Sequence, residues 1–456
     1  MMRKKVLVVC NDVVGLKMAG PAIRCVEIAK ILSEYFLVKL YAPRIDGSIG
    51  FNFEVYNFTD SKFTTDANEA DVIIIQGDAL RAHPFLKKCK GSLIADLYCP
   101  IPLEYHQASE GVDLEVRGNT SNFLSDMLYE QLVYADHFLC ASEKQREFWI
   151  GALTLAGRIN AQRWPQANHA NISELISLLP FGLSPQKPVL TKPALRSRFG
   201  IPTEDFVLVW GGGIYQWFDP LTPIKALHRL VSDGARVHLV FMGVKHPNPG
   251  ISQHDMCAQA VSLATEFGLI GKFVHFNFGW VDYSDRHNYL LDADVGISGH
   301  FDNPETRFSF RTRMLDYLWC GLPIIATKGD VFGDALNVER IGISVDFEDE
   351  DGWVHAIASM MNDRKAIESV RLEVFRYSES FRWDRVVNPL VERCETITPS
   401  ADRALVRDHY TRSAGLLYRL RRVYASGGIR SVLFAVLRRI RSALSRVAAS
   451  LTPEKP

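Results

Sequence analysis

A charged segment ahead of an apolar run contains side chains suited to binding phosphate groups. The segment NPETRFSFRTRMLDYL contains Arg307, Arg311 and Arg313. Arg307 and Arg311 are four positions apart, so on a helix they are neighbours that repel each other unless an anion lies between them. We favour a diphosphate as this anion, because guanidinium groups bind phosphate in a bidentate manner. Pairing of the arginines with Glu305 or Asp302 is the alternative interpretation.

A glycine run, in the sequence WGGGIYQWFDP of residues 210–220, is a second candidate for binding phosphate. Gly212 and Gly213 allow the backbone to approach a ligand closely, and free N–H groups of such a turn hold anions. Trp217 and Tyr215 stack on a base or a sugar in this interpretation, and otherwise pack between domains. A simple turn at the end of a strand is the alternative for the glycine run.

A comparable loop occurs near the start of the chain, in NDVVGLKMAGPAIR of residues 11–24. Gly20 precedes Pro21 at a helix start, which leaves backbone N–H groups pointing away from the helix. Lys17 and Arg24 add positive charge to this loop. Two facing loops of this kind predict a site that holds a diphosphate together with an acceptor.

The elements that position these loops follow a repeating pattern. Short apolar, β-branched runs alternate with amphipathic helical stretches, which is typical of buried parallel strands covered by helices on both faces. The pattern predicts a doubly wound α/β fold. The runs that we interpret as strands are KKVLVVC, FLVKLYAP, ADVIIIQG, GSLIADLY, DHFLCAS, DFVLVW, ARVHLVFMG, KFVHFNFGW, ADVGISG and LPIIAT.

The pattern stops at a proline-rich stretch and then restarts, which predicts two similar domains. Prolines between residues 180 and 193 disfavour both helix and central strand there, so we expect a linker. The predicted domains are residues 1–183 on the acceptor side and residues 184–395 on the donor side. Ligands bind at the carboxyl ends of parallel strands, so the site is expected in the cleft between the domains.

Composition excludes several classes of protein. The 456 residues contain 52 Lys and Arg against 52 Asp and Glu, so the chain as a whole has no electrostatic preference for nucleic acid. The eight cysteines are scattered without a C-x-x-C pair, which favours reduced thiols in a cytoplasmic protein over disulfides or zinc. The sequence contains no run of about 18 uncharged apolar residues, so we predict no membrane-spanning helix.

The tail, residues 396–456, differs from the rest because it is rich in arginine. Its apolar residues recur at helical spacing, which predicts basic amphipathic helices suited to an anionic membrane surface. Packing against the protein's own body, or a contact in an oligomer, is the alternative. The membrane interpretation places the protein on the inner face of the cell membrane.

Several of these motifs, in the same order, resemble the retaining glycosyltransferases of family 4. The segment LDYLWCGLPIIAT resembles that family's donor motif, KMAGPAIRCVEIAKIL its first helix, and GGGIYQWFDPLTPIKAL the opening of its nucleotide-binding domain. HFNFGWVDYSDRHNYLLDADVGIS and FRWDRVV resemble two later segments. The resemblance covers about residues 5 to 395, and it implies a GT-B architecture of two Rossmann-like domains that face a central cleft.

The resemblance also implies roles for particular residues. In that family two glutamates, eight positions apart, contact the donor sugar and the ribose. Asp316 aligns with the second, while Phe308 stands at the first position and Glu305 is the nearest acid. The usual Arg and Lys after the glycine-rich turn are missing, and Lys225 lies closest. The histidine that these enzymes often carry after the fourth strand of the first domain has no clear match here. Asp96 and His106 are the candidates for catalysis on the acceptor side, beside Glu305.

These observations predict transfer of a sugar from a nucleoside diphosphate to a glycan or lipid-linked acceptor, with anomeric retention, in the assembly of surface polysaccharides such as lipopolysaccharide. We expect no metal and no cofactor, because cationic side chains stabilise the leaving group. An enzyme similar to a nucleotide-sugar epimerase, and a GT-B binding or assembly protein without activity, are the alternatives.

Overall fold

The structure is a computed structural model that describes residues 3–15, 18–47, 50–163, 169–244, 255–279, 281–282, 284–414 and 429. Lys17, one of the predicted site residues, lies outside the described residues, as do residues 415–428 and 430–456 of the tail.

The first domain is built on a seven-stranded sheet, in which every neighbouring pair of strands is parallel. Its central strands are buried along nearly their whole length, because helices cover both faces. The strands, in their order across the sheet, are β5 (Glu54–Asn57), β3 (Leu37–Ala42), β1 (Lys5–Val9), β6 (Val72–Ile75), β7 (Ser92–Asp96), β8 (His137–Cys140) and β9 (Ile176–Leu178). A small parallel pair stands beside this sheet, β2 (Val14–Gly15) and β4 (Ile45–Asp46).

Helices connect the strands of the first domain. They are α1 (Gly20–Leu32), α2 (Phe63–Glu69), α3 (Ala79–Ala82), α4 (Ile101–Ala108), α5 (Leu114–Tyr134), α6 (Glu143–Leu155) and α7 (His169–Leu175), with a short 3-10 helix at Pro84–Lys88.

The second domain repeats this architecture with a six-stranded parallel sheet. Its strands, in their order across the sheet, are β12 (Val274–Phe276), β11 (Val237–Phe241), β10 (Phe206–Trp210), β13 (Val295–Ser298), β14 (Ile324–Thr327) and β15 (Gly342–Val345). Its helices are α8 (Leu195–Phe199), α9 (Leu221–Ser232), α10 (Asp255–Glu266), α11 (Arg286–Leu291), α12 (Pro304–Phe308), α13 (Thr312–Trp319), α14 (Val331–Val338), α15 (Glu350–Asn362) and α16 (Arg364–Ser378). The two parallel sheets confirm the predicted fold class of two Rossmann-like domains.

After the second domain the chain crosses back to the first. The short 3-10 helix Glu379–Phe381 leads into α17 (Trp383–Val386) and α18 (Asn388–Thr396). The crossing lies beside the linker, since the amide of Leu183 donates to the carbonyl of Phe381 at 2.7 Å and the amide of Trp383 donates back to Leu183 at 3.0 Å. A Cβ on Gly182 would lie 2.3 Å from the ring of Trp383, so this close approach requires glycine. The chain therefore passes between the domains twice at one place.

The first part of the tail packs on the first domain. Helix α19 (Arg403–Ala414) lies against α5, and the buried Asp402 accepts from Arg163 at 3.0 Å and from Arg158 at 3.3 Å. Arg403 donates to Asp136 at 2.7 Å. This part of the tail thus follows the alternative of packing against the protein's own body, and the membrane contact stays a prediction for the residues beyond it. The described residues include no helix that is both long and apolar enough to span a membrane.

Candidate active site

A cavity of about 340 Å³ lies between the two domains, at the carboxyl ends of β10 and β11 and beside the start of α1. Its volume is within the range of small-molecule sites. The position agrees with the predicted cleft and with the general rule for ligands of parallel sheets. The residues that line it and enter the argument below are Gly20, Glu104, the loop 211–213, Tyr215, Trp217, Arg286, Arg311, Arg313 and Asp316.

The glycine-rich loop after β10 forms one wall of the cavity. Gly212 has a φ of +81°, in the left-handed region that favours glycine. The amide of Gly211 already donates to the hydroxyl of Tyr317 at 2.7 Å, so this amide is held by the protein itself. The backbone N–H groups of Gly212 and Gly213 are therefore the remaining candidates in this loop for binding a phosphate.

Arg313 lies directly behind this loop and is the most notable charge of the cavity. It is 9% exposed, and its Nη2 donates to the carbonyl of Gly213 at 2.7 Å. Its guanidinium lies 3.9 Å from the ring centroid of Phe218 and 4.8 Å from that of Trp210. Burial lowers the pKa of Arg313 to about 10. Among the described residues no carboxylate pairs with Arg313, and its Nη1 has no hydrogen-bond partner.

Arg311 lines the cavity but is already paired. Its Nη1 and Nη2 donate to the two carboxylate oxygens of Glu305 at 2.8 and 2.6 Å. Glu305 is 1% exposed and is not part of the cavity wall, so the structure does not present it to a donor sugar. For Arg311 the structure therefore agrees with the alternative interpretation of the sequence, in which the arginine pairs with Glu305. Asp330, which lies 3.8 Å from Arg311 Nε, extends this buried group of charges.

Asp316, which the resemblance aligns with the second glutamate of the family motif, lines the cavity. It accepts a hydrogen bond from Arg286 Nε at 2.8 Å, and the guanidinium of Arg286 lies 4.6 Å from the ring centroid of Trp319. Sequence reasoning missed Arg286, although it belongs to a segment that resembles the family. Its separation from Asp316 by 30 residues hides the pair from any local pattern.

Aromatic side chains complete the part of the cavity wall that the second domain supplies. Tyr215 and Trp217 both line the cavity and stack on each other, with ring centroids 5.0 Å apart. The sequence left open whether they bind a ligand or pack between domains. Their position in the wall is compatible with stacking on a base.

The first domain contributes fewer of the predicted residues than expected. Gly20 lines the cavity at the start of α1. Arg24 instead points into the first domain, where it donates to Asp96 at 2.6 and 2.9 Å and to the carbonyl of Leu179 at 2.7 Å. Both side chains of this pair are fully buried, so neither Arg24 nor Asp96 reaches the cavity. A buried cation and a buried anion neutralise each other, which explains why the arginine turns away from the cleft.

Three further predicted residues also lie outside the cavity wall. His106 is exposed on α4, with its Nε2 3.1 Å from the hydroxyl of Ser121. Lys225 is exposed on α9, and Arg307 is exposed on α12. Arg307 and Arg311 therefore do not bind one anion as neighbours on a helix, because α12 ends at Phe308, between the two residues.

The two domains are held together beside the cavity by α12, which packs against α4 and α6. The buried side chain of Gln145 donates to the carbonyls of both Tyr98 and Phe308 at 2.9 Å, and so joins the domains. Lys144 donates across the same interface to Asp334 at 2.6 Å. These contacts fix the first domain relative to the segment that carries Arg311 and Arg313.

No family model matches the chain, and no curated protein does. Solved structures do match. Sucrose-phosphate synthase from Thermosynechococcus elongatus is 14% identical, with a TM-score of 0.60 over 90% of this chain and 100% of its own. Alr3699/HepE of Anabaena, in complex with UDP and glucose, is 16% identical, with a TM-score of 0.61 over 86% of this chain and 100% of its own. WaaG, a glycosyltransferase involved in lipopolysaccharide biosynthesis, is 14% identical, with a TM-score of 0.57 over 86% and 100%.

At these identities the likeness establishes the fold, and it confirms the predicted GT-B architecture over most of the chain. The described residues contain no group of three or more side chains able to hold a metal ion.

Proposed function

We propose that the protein is a glycosyltransferase that moves a sugar from a nucleoside-diphosphate donor to a glycan or lipid-linked acceptor. The observation that supports this most directly is Arg313, a buried guanidinium in the cavity wall with no carboxylate partner among the described residues. Keeping such a charge out of water without a counter-ion is unfavourable. A diphosphate beside the loop of Gly212 and Gly213 would supply that counter-ion.

The residues of the cavity suggest how the donor is held. Trp217 and Tyr215 stack on the base, Asp316 accepts hydrogen bonds from the ribose hydroxyls, and Arg313 binds the diphosphate. During transfer the bond between the anomeric carbon and the phosphate oxygen breaks, and its electron pair stays on the diphosphate. The oxygen of an acceptor hydroxyl bonds to the anomeric carbon, and the proton of that hydroxyl passes to the departing diphosphate. Arg313 then stabilises the negative charge on the leaving group.

Retention of anomeric configuration is part of the proposal, and it rests on the resemblance to the family 4 enzymes. A role in surface polysaccharide assembly is supported by the likeness to WaaG, a glycosyltransferase involved in lipopolysaccharide biosynthesis. We further propose that residues 184–395 hold the donor, that residues 1–183 hold the acceptor, and that cations of the protein act in place of a metal. The arginines of the tail beyond residue 414 would place the protein on the inner face of the membrane.

A binding or assembly protein without catalytic activity is the second candidate. It is favoured by one observation, because Glu305 is paired with Arg311 away from the cavity while Phe308 stands at the aligned catalytic position. The two candidates share the nucleotide site and differ in turnover.

The test has two stages. Calorimetry with UDP, GDP and dTDP measures nucleotide binding, and we expect one of them to bind. Radiolabelled nucleotide sugars of that base are then incubated with and without a lipid or glycan acceptor fraction. Transfer of label to the acceptor supports the enzyme, whereas tight binding without transfer or release of label supports the binding protein. If none of the three nucleotides binds, both candidates fail.

A further inference from the structure

The cavity wall contains one carboxylate that no motif singled out. Of the described residues, Glu104 and Asp316 are the acids that line the cavity. Asp316 is paired with Arg286, and the nearby Glu305 is paired with Arg311. Glu104 has no ion pair with any described residue, so its carboxylate is available to a ligand.

The fold places Glu104 opposite the donor loop. It stands in the first turn of α4, shortly after β7 ends, so it belongs to the cleft edge of the first domain. Helix α4 packs on α12 of the second domain, which fixes its distance from the donor side. Glu104 lies close enough to Tyr215 to influence its titration, and a Cβ on Gly213 would contact the ring of Tyr215 at 3.0 Å. Glu104 of the first domain and the glycine-rich loop of the second therefore line the same cavity.

The surroundings of Glu104 leave it with unused hydrogen-bonding capacity. The thiol of Cys99 is close enough to Glu104 to lower its pKa, whereas a carboxylate accepts about four hydrogen bonds. Burial raises the pKa of Glu104; Cys99 and Arg311 oppose this effect, and the charge of Glu305 adds to it. An acid in such a partly dehydrated position forms strong hydrogen bonds with the hydroxyl groups of a ligand.

We propose that Glu104 binds hydroxyl groups of the transferred sugar and is the carboxylate that replaces the missing first glutamate of the donor motif. This inference rests on the proposed function. With the diphosphate beside Arg313 and Gly213, the sugar extends from it toward the first domain. Glu104 is the acid on that side of the cavity, and two adjacent sugar hydroxyls match its two oxygens.

Calorimetry separates the sugar contact from nucleotide binding. The affinities of UDP-glucose, GDP-mannose and dTDP-glucose are measured beside those of UDP, GDP and dTDP, with wild-type protein and Glu104→Gln. We expect the variant to bind the nucleotide sugar about tenfold or more weakly, the effect of losing a hydrogen bond to a charged group, while its affinity for the nucleotide alone is unchanged. Glu110→Gln, which changes an exposed acid just beyond α4, is the matched control and should alter neither affinity.

Each other outcome has a definite meaning. An unchanged affinity of Glu104→Gln for the nucleotide sugar overturns the proposal. Equal weakening for the sugar and the bare nucleotide also overturns it, because Glu104 would then shape the cavity without touching the sugar. Absence of nucleotide binding by the wild-type protein rejects the proposed function itself, and this inference with it.

Discussion

Replacement of Arg313 by methionine tests the charge on which the nucleotide site depends. Methionine keeps much of the length and apolar contact of the side chain but removes its positive charge. In the free protein the guanidinium donates to the carbonyl of Gly213 at 2.7 Å and has no carboxylate partner among the described residues. We therefore expect Arg313→Met to weaken nucleotide binding far more than it weakens the fold.

The magnitude follows from the pKa of this residue. Burial lowers it from 12.5 to about 10, which at about 1.4 kcal/mol per pKa unit corresponds to a cost of roughly 3 kcal/mol for the charged form. A bound diphosphate offsets part of this cost, and hydrogen bonds to charged groups contribute about 1.5–3 kcal/mol. The dissociation constant for the nucleotide should therefore rise about 10- to 150-fold in Arg313→Met.

Calorimetry with the nucleotide that the wild-type protein binds measures this change. Arg307→Met is the matched control, because Arg307 is exposed and outside the cavity wall, and it should leave the affinity within about twofold. Thermal melting without ligand should show only a small change for Arg313→Met, since loss of the Gly213 hydrogen bond is opposed by removal of a buried charge. An unchanged nucleotide affinity in Arg313→Met would refute the assignment of this arginine to the diphosphate.

Two further predictions concern stability. Arg311→Met leaves the carboxylate of Glu305 buried without its arginine partner and should lower the free energy of unfolding by about 3–5 kcal/mol. The double variant Arg311→Met with Glu305→Met should recover much of this loss. Urea unfolding measures both variants, and equal losses in the single and double variants would contradict the role of the pair. Burial lowers the pKa of His137 to about 3 and that of His275 to about 4. As the pH is lowered, the unfolded chain binds a proton at each histidine near pH 6.5, whereas the folded protein does so only at lower pH. The free energy of unfolding should therefore decrease as the pH falls from about 6.5 to 4, by at most ~1.4 kcal/mol per pH unit for each histidine. The dependence should be shallower in His275→Asn and unchanged in the exposed-site control His106→Asn; equal slopes for the wild-type protein and both variants would exclude His275 as a cause.

The candidate site shows where sequence reasoning reached its limit. Gly212, Gly213 and Asp316 were found because a glycine run and a motif position are local features of the chain, and the structure places all three in the cavity wall. Glu104 was passed over, since a single acid in a helical stretch resembles any solvated residue. Arg286 was missed because its role depends on a partner 30 residues away.

The sequence alone determined the two parallel sheets and the cleft. Buried parallel strands are mostly apolar, so a run of five or six residues is enough to identify each strand. The order of strands and helices along the chain then restricts the topology. Tertiary structure alone decided which charges face the cleft. The pair of Arg24 and Asp96 joins residues 72 positions apart and draws both inward. The pairing of Arg311 with Glu305 leaves Arg313 as a cavity cation that has no carboxylate partner among the described residues. Such pairings depend on burial and on distances of a few ångströms, which residue types and spacing do not encode.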